Sequence, residues 1–259
     1  MTQPSTSTLA GRVALVTGGG SGIGRAAALA YGRRGAKVVI AGRRAAEIED
    51  SARLIIDQGG EALAVPADVS SADEVRALMT ATLKRFGRLD IAFNNAGTEG
   101  VFAPITELTE ADFDQVIGVN LKGVWLSIKY EIEAMLLHGE GGVIVNTSSF
   151  LARGAVAGSS AYSASKGALE GMIRAVALEY GPRGIRINNV LPGAIATPMF
   201  ERLGGDAALA PLEAFTPLRR VGQPADVGDA AVWLSTDEAR FITGQSLLVD
   251  GGFTIPGMR

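Results

Sequence analysis

Short aliphatic runs alternate along the chain with longer stretches in which apolar residues recur at helical spacing. The runs are VALVT from Val13, KVVIA from Lys37, EALAV from Glu61, DIAF from Asp90, GVIVNT from Gly142, RINNVL from Arg186 and SLLVD from Ser246, and they predict seven strands. Between them, Ser71-x-x-Glu74 and Thr109-x-x-Asp112 have capping-box spacing, in which side-chain oxygens satisfy orphan N–H groups at a helix start. Strands alternating with helices imply right-handed crossovers and a parallel sheet. A parallel sheet is covered on both faces, which is why its strands are uniformly apolar rather than alternating. The expected fold is therefore α/β and doubly wound, with a seven-stranded parallel sheet flanked by helices. With no internal repeat and no linker, residues 11–259 read as one domain, preceded by a Ser/Thr-rich flexible tail over 1–10.

Composition narrows the function. At 47% hydrophobic and 20% charged, the 259 residues form a globular chain, which excludes disorder, coiled coil and fibre. Lys+Arg number 24 against 27 Asp+Glu, a net charge of -3, so no positive field is available to hold nucleic acid or an anionic membrane. The pairs Arg33-Arg34, Arg43-Arg44 and Arg219-Arg220 are separate islands. Without cysteine there is no disulfide or thiolate site, and the single histidine, His138, cannot build a zinc site alone, so no metal is predicted. No run approaches the roughly 18 apolar residues of a membrane span. The start MTQPSTSTLAGR lacks the basic and apolar regions of a signal peptide, which predicts a soluble, cytoplasmic protein.

The chemistry concentrates in two places. After the first strand comes Thr17-Gly18-Gly19-Gly20-Ser21-Gly22-Ile23-Gly24 and then a small-residue helix, an arrangement in which backbone N–H groups and a positive helix N-terminus can meet a pyrophosphate. The spacing is T-G-x-x-x-G-x-G, not G-x-G-x-x-G. The second strand runs into Gly42, Arg43 and Arg44 with no acid to accept from a ribose 2'-hydroxyl, and a guanidinium pairs with a 2'-phosphate, so NADP(H) is read over NAD(H). Further on, Tyr162 and Lys166 stand four apart on one predicted helix face, the only such pair among four tyrosines in a chain where just 5 of 24 basic residues are Lys. A neighbouring ammonium favours phenolate, which would bring the tyrosine towards the working pH range. Ser149 lies thirteen residues before Tyr162, at the end of the strand GVIVNT.

Assembled in this order, TGGGSGIG, Asp68-Val69, Asn94-Asn95-Ala96-Gly97, Asn120 in VNLKG, Ser149, Y-S-A-S-K, Pro192-Gly193 with Thr197 and GQSLLVDGG resemble the short-chain dehydrogenase/reductase family in its compact form, over nearly everything from Gly11 to Gly252. The resemblance implies a Rossmann-like fold and hydride transfer between nicotinamide and a carbonyl or secondary alcohol. In it Ser149 bonds the substrate oxygen, Tyr162 moves the proton, Lys166 holds the nicotinamide ribose and tunes Tyr162, and Asn120 binds a water that continues a proton relay. Gly18, Gly20, Ser21, Gly22 and Ile23 would line the pyrophosphate, with Arg43 and Arg44 beside the adenosine ribose. Asp68 and Val69 would contact adenine, Asn95, Ala96 and Gly97 would line the cofactor, and Pro192, Gly193, Ile195 and Thr197 would lead to the carboxamide. A homotetramer is also implied.

The substrate is less legible. The stretch from about 194 to 220, with Met199, Phe200, Leu203, Leu209 and Phe215, reads as an apolar lid. Phe150, Leu151 and Val156 suggest an apolar pocket, to which Arg153 and Glu99 add polarity if they point inward. The leading expectation is an NADP(H)-dependent carbonyl reductase or alcohol dehydrogenase. The alternatives are an NAD(H)-preferring dehydrogenase of the same fold, a 3-oxoacyl-carrier-protein reductase using Arg183, against which Glu140 speaks, and a dinucleotide-binding protein without turnover. His138, after a long helix, is read as an imidazolium at a helix C-terminus.

Overall fold

The computed structural model describes residues 9–255, apart from the side chains of residues 206–208. Seven parallel strands form one sheet in the order β3-β2-β1-β4-β5-β6-β7: β1 Val13–Thr17, β2 Lys37–Gly42, β3 Ala62–Pro66, β4 Ile91–Asn94, β5 Gly142–Thr147, β6 Ile185–Pro192 and β7 Ser246–Val249. The helices are α1 Gly22–Arg33, α2 Ala45–Asp57, α3 Ala72–Phe86, α4 Glu110–Ile117, α5 Val124–His138, α6 Ser160–Tyr180, α7 Pro198–Arg202, α8 Gly205–Phe215 and α9 Pro224–Leu234. All five residues of β1 are buried, as a strand covered on both faces requires. On one face α1, α2 and α9 bury Ala27, Tyr31, Ile48, Ile55, Val227 and Ala231. On the other, α3, α5 and α6 bury Leu78, Ile128, Met135, Leu169 and Ile173. Helices α1 and α9 can touch because Gly228 has no side chain: a Cβ there would lie 2.9 Å from the Ala27 nitrogen.

Strand order reverses between β1 and β4, where Thr17 pairs with Ala41 on one side and Asn94 on the other. Crossovers leave in opposite directions from that point and open a crevice at the carboxyl ends of the strands.

Several local expectations shift. The strand beginning at Ile185 is longer than RINNVL, while Glu61 and Asp90 precede their strands. Thr109 and Asp112 form the full capping box. Ser71 accepts from the Glu74 N–H, but the Glu74 carboxylate is diverted to the Asp68 N–H at 2.8 Å, so that box is half made. Of the tail, residues 1–8 lie outside the described residues; Leu9, placed in it by the sequence, is buried and donates its N–H to the Arg34 carbonyl at 3.0 Å. His138 ends α5; its ring Nδ1 lies 3.2 Å from the Glu140 nitrogen and its Nε2 lies 2.8 Å from the Leu89 carbonyl. Among the described residues no helix is long and apolar enough to cross a membrane.

Candidate active site

The glycine loop follows from contact distances. Gly18 and Gly22 have φ of +65° and +52°, a region that glycine enters without strain. A Cβ on Gly18 would stand 2.9 Å from the Ala96 Cα, and one on Gly24 would stand 2.2 Å from the Gly18 carbonyl oxygen. Ser21, the N-cap of α1, makes no side-chain cap and the first turn holds no acid, so the orphan N–H groups and the positive end of α1 remain available to an anion. Beside the loop is a cleft of 470 Å³ whose walls include Gly20, Arg43, Arg44, Asp68, Ala96 and Gly97. Its glycine floor, helix N-terminus and exposed arginines fit a dinucleotide.

The other predicted contacts surround this cleft or extend from it. Arg43 is exposed and lies 3.9 Å from Asp68. Burial tends to raise the Asp68 carboxyl, but hydrogen bonds from Ser70 and the charge of Arg43 outweigh it and hold the group below its usual range. Val69 is buried beneath the cleft. The Asn95 and Ala96 N–H groups both donate to Thr17 Oγ1, at 3.1 and 3.2 Å, which ties the end of β4 to that of β1. Ile23 is half-buried on α1. Pro192 ends β6, and Gly193 lies so close to Asp250 that a Cβ would be 2.7 Å from that residue's Cβ. Ile195 is buried and bridged to Gly222. Thr197 caps α7, and its methyl stands 3.2 Å from where a Gly22 Cβ would be.

Ser149, Tyr162 and Lys166 come together where β5 gives way to α6. Ser149 caps the 3-10 turn Phe150–Ala152, its Oγ accepts from the Leu151 N–H at 3.2 Å, and it also hydrogen-bonds Tyr162. Lys166 Nζ lies 5.7 Å from the Tyr162 ring centroid and donates to the Thr147 carbonyl at 2.8 Å. The electrostatics differ from the expectation of a tyrosine pulled down by its lysine. Burial pushes the Tyr162 hydroxyl up to about 12, Ser149 opposes this, and the charge of Glu99 adds to it. Burial also lowers Lys166 to about 8. At neutral pH Tyr162 is thus a neutral phenol, a group with a proton to give. Asn120 is buried in a π turn, Gly118–Gly123, between α4 and α5. Its side chain accepts from the Thr98 N–H and donates to the Thr98 carbonyl, both at 2.8 Å, and to Ser165 Oγ at 3.3 Å, so it is already committed within the protein.

On the substrate side, Glu99 turns inward but is gripped by Arg202 of α7, at 2.6 and 3.2 Å. Arg153 pairs with Glu170 at 2.8 Å. Leu151 is buried and Val156 exposed. Phe102 lies 6.1 Å from the Tyr162 ring, and Phe253 packs edge-on against Phe150 and Phe215 at 5.2 and 5.1 Å. Arg202, Phe102 and Phe253 carried no motif signal. Glu140 and Arg183 lie at the opposite edge, before β5 and β6 begin, so neither flanks the entrance near Ser149.

A polar ladder also escaped the sequence reading. Asn94, Asn146, Asn189 and Ser246 face one another in register across β4 to β7. Their side chains are linked at 3.1, 3.0 and 3.1 Å, and Asn94 also donates to the buried Glu131 at 3.0 Å. Burial pushes Glu131 up to about 8, against which the Asn94 hydrogen bond works. Strand pairing was the missing signal: three asparagines far apart in sequence reveal nothing until the register is known.

A family model described as enoyl-(acyl carrier protein) reductase matches residues 18–254. The chain belongs to the short-chain dehydrogenase/reductase family. This family member is 40% identical over 252 residues to 2,5-dichloro-2,5-cyclohexadiene-1,4-diol dehydrogenase of Sphingobium indicum, covering 96% of this chain and 99% of that one. It is 42% identical to cis-4-hydroxycyclohexanecarboxylate dehydrogenase of Sinomonas cyclohexanicum, with 94% and 96% covered. The crystal structure of levodione reductase superposes with a TM-score of 0.90 at 37% identity, over 94% of this chain and 98% of the other. The chain is thus a short-chain dehydrogenase/reductase oxidoreductase that works with a nicotinamide dinucleotide.

Proposed function

We propose that this protein is an NADP(H)-dependent oxidoreductase that interconverts a small cyclic ketone and its secondary alcohol. The observation that carries the reading is the meeting of Ser149, Tyr162 and Lys166 next to a cleft suited to a dinucleotide, of which Gly97 is a wall: a Cβ on Gly97 would lie 3.7 Å from Lys166 Nζ. Gly18, Gly20, Ser21 and Gly22 would hold the pyrophosphate, Arg43 a 2'-phosphate, and Lys166 the nicotinamide ribose. A reduced nicotinamide held there would supply the hydride for the carbonyl carbon. Ser149 donates a hydrogen bond to the carbonyl oxygen, and Tyr162 gives that oxygen its proton as negative charge develops. The two N–H bonds of Lys166 not spent on Thr147 steady the ribose, and its charge favours the phenolate left behind. Oxidation runs the same steps backwards.

Phe102, Phe150, Phe215 and Phe253 supply apolar walls for a ring, and the names of the two dehydrogenase relatives are those of six-membered cyclic alcohols. Residues 194–220 act as the cover. Met199, Phe200 and Leu209 are half-buried while Leu203 and Phe215 are exposed, as suits a surface that closes on a ligand. The protein works in the cytoplasm as a homotetramer; exposed Trp125 and Leu137 on α5 and Leu178 on α6 are the apolar surface such an assembly would cover. A panel of cyclic ketones with NADPH tests the function. Steady oxidation of NADPH with alcohol formation is expected, and its absence across the panel with either nucleotide would refute it.

A further inference from the structure

A charged contact at the cover has no task in hydride transfer. Glu99 sits on a turn that both of its neighbours hold still. The Thr98 N–H donates to Asn120 Oδ1 at 2.8 Å, and the Thr98 carbonyl accepts from Asn120 Nδ2 at 2.8 Å. Gly100 has a φ of +68°, and a Cβ there would lie 2.2 Å from Val116 Cγ2, so the chain bends sharply against α4. The turn leaves Glu99 where its charge is felt by the Tyr162 hydroxyl. From α7, Arg202 closes on it, Nε to Oε1 at 2.6 Å and Nη2 to Oε2 at 3.2 Å. This grip keeps the Glu99 carboxyl below its usual range and therefore charged. Glu99 retains 16% of its side-chain surface and Arg202 55%, so both are within reach of a ligand.

The pairing spends two Arg202 N–H groups and one lone pair on each Glu99 oxygen, and leaves the other donors and lone pairs to a ligand. What it presents is a donor beside an acceptor, on a pair with no net charge. A hydroxyl donates and accepts at once and satisfies both. A carboxylate only accepts and is repelled by Glu99, a second carbonyl only accepts, and an ammonium is repelled by Arg202. The walls nearby, Phe102 at 6.1 Å from the Tyr162 ring and Phe150, have no such group to offer.

We propose that Glu99 and Arg202 together form a subsite for a second hydroxyl on the substrate ring, so that the preferred substrate is a cyclic hydroxyketone, or the corresponding diol in the oxidising direction, rather than a plain or carboxylated ketone. The inference rests on the cyclic-ketone reading and deepens it. Neither residue acts on the reacting carbonyl; they select by what else the ring bears.

Steady-state reduction of cyclohexanone, 3- and 4-hydroxycyclohexanone and 4-oxocyclohexanecarboxylate by the full-length wild type, Glu99→Ala, Arg202→Ala and the double variant tests it. The wild type should favour a hydroxyketone over cyclohexanone by about tenfold in kcat/KM, chiefly through KM, and should discriminate against the carboxylate. Glu99→Ala should abolish the hydroxyl preference and, by freeing the Arg202 charge, raise kcat/KM for the carboxylate about tenfold. The double variant should lose that gain, and Arg202→Ala alone should reject the carboxylate more strongly than the wild type does. If Glu99→Ala changes all four ketones by one factor, the pair only fastens the cover and the proposal is overturned while the function stands; a wild type indifferent to the hydroxyl does the same. A wild type that reduces none of them with either nucleotide would overturn the cyclic-ketone reading and the proposal with it.

Discussion

The sheet has a cleft at each edge, and the two are of similar size. The one at the carboxyl ends of the strands measures 470 Å³; the one at the opposite edge, lined by Arg12, Glu140, Gly184, Arg186 and Phe241, measures 530 Å³. Volume alone would choose the second. Their polar groups decide otherwise. At the opposite edge Asp90 accepts from the Val13 N–H at 2.8 Å and lies 2.5 Å from Arg88, which also meets Glu140 at 2.5 Å. His138 completes the only Asp/Glu/His group of metal-binding size among the described residues, but a guanidinium already joins its two carboxylates. At the carboxyl edge the start of α1 and the Tyr162 proton remain to be used. Unspent hydrogen-bonding capacity, rather than space, marks the working cleft.

Changes at the two edges should therefore separate cleanly. Tyr162→Phe removes the proton donor and should lower turnover about 10³-fold, with nucleotide affinity measured by titration nearly unchanged; retention of most activity would remove Tyr162 from the reaction. Asp90→Ala strands Arg88 and the Val13 N–H at the other edge. It should cost about 3 kcal/mol in urea unfolding while the folded fraction keeps its kcat. A loss of kcat in folded protein would join the two edges and break the contrast.

Glu131 gives the carboxyl edge a pH signature. Its folded-state pKa of about 8 lies above the ordinary 4.5, so the folded state binds more protons between those values. Its contribution to stability is complete below about 4.5 and is lost as pH rises through about 8. Glu131→Gln should flatten that fall in thermal unfolding, and an unchanged slope would mean that the carboxyl is not held protonated. Smallest is the expected effect of Arg43→Ala, about tenfold weaker NADPH binding against less than twofold for NADH. Equal losses would show that Arg43 does not read the 2'-phosphate.

The sheet and its order of elements were legible because parallel strands buried on both faces must be apolar throughout, as VALVT and KVVIA are. The glycine loop was legible too, since Gly18 and Gly24 answer to contacts only a few residues away in sequence or at the next strand. Groups whose partners come from distant segments were not. Arg202 meets Glu99 across 103 positions, and the asparagine ladder requires the pairing of four strands. Tyr162 shows a third kind of limit: its spacing to Lys166 was visible, but burial, which no spacing reveals, reverses the direction in which its proton affinity moves.

The most direct test of the account is the fate of the hydride. Purified protein incubated with NADPH deuterated at the transferring position of C4 and with the cyclic ketone panel should yield an alcohol carrying one deuterium on the carbinol carbon, detected by mass spectrometry, and Tyr162→Phe should yield almost none. Alcohol without deuterium from NADPH labelled on either face, or full product from the variant, would contradict it.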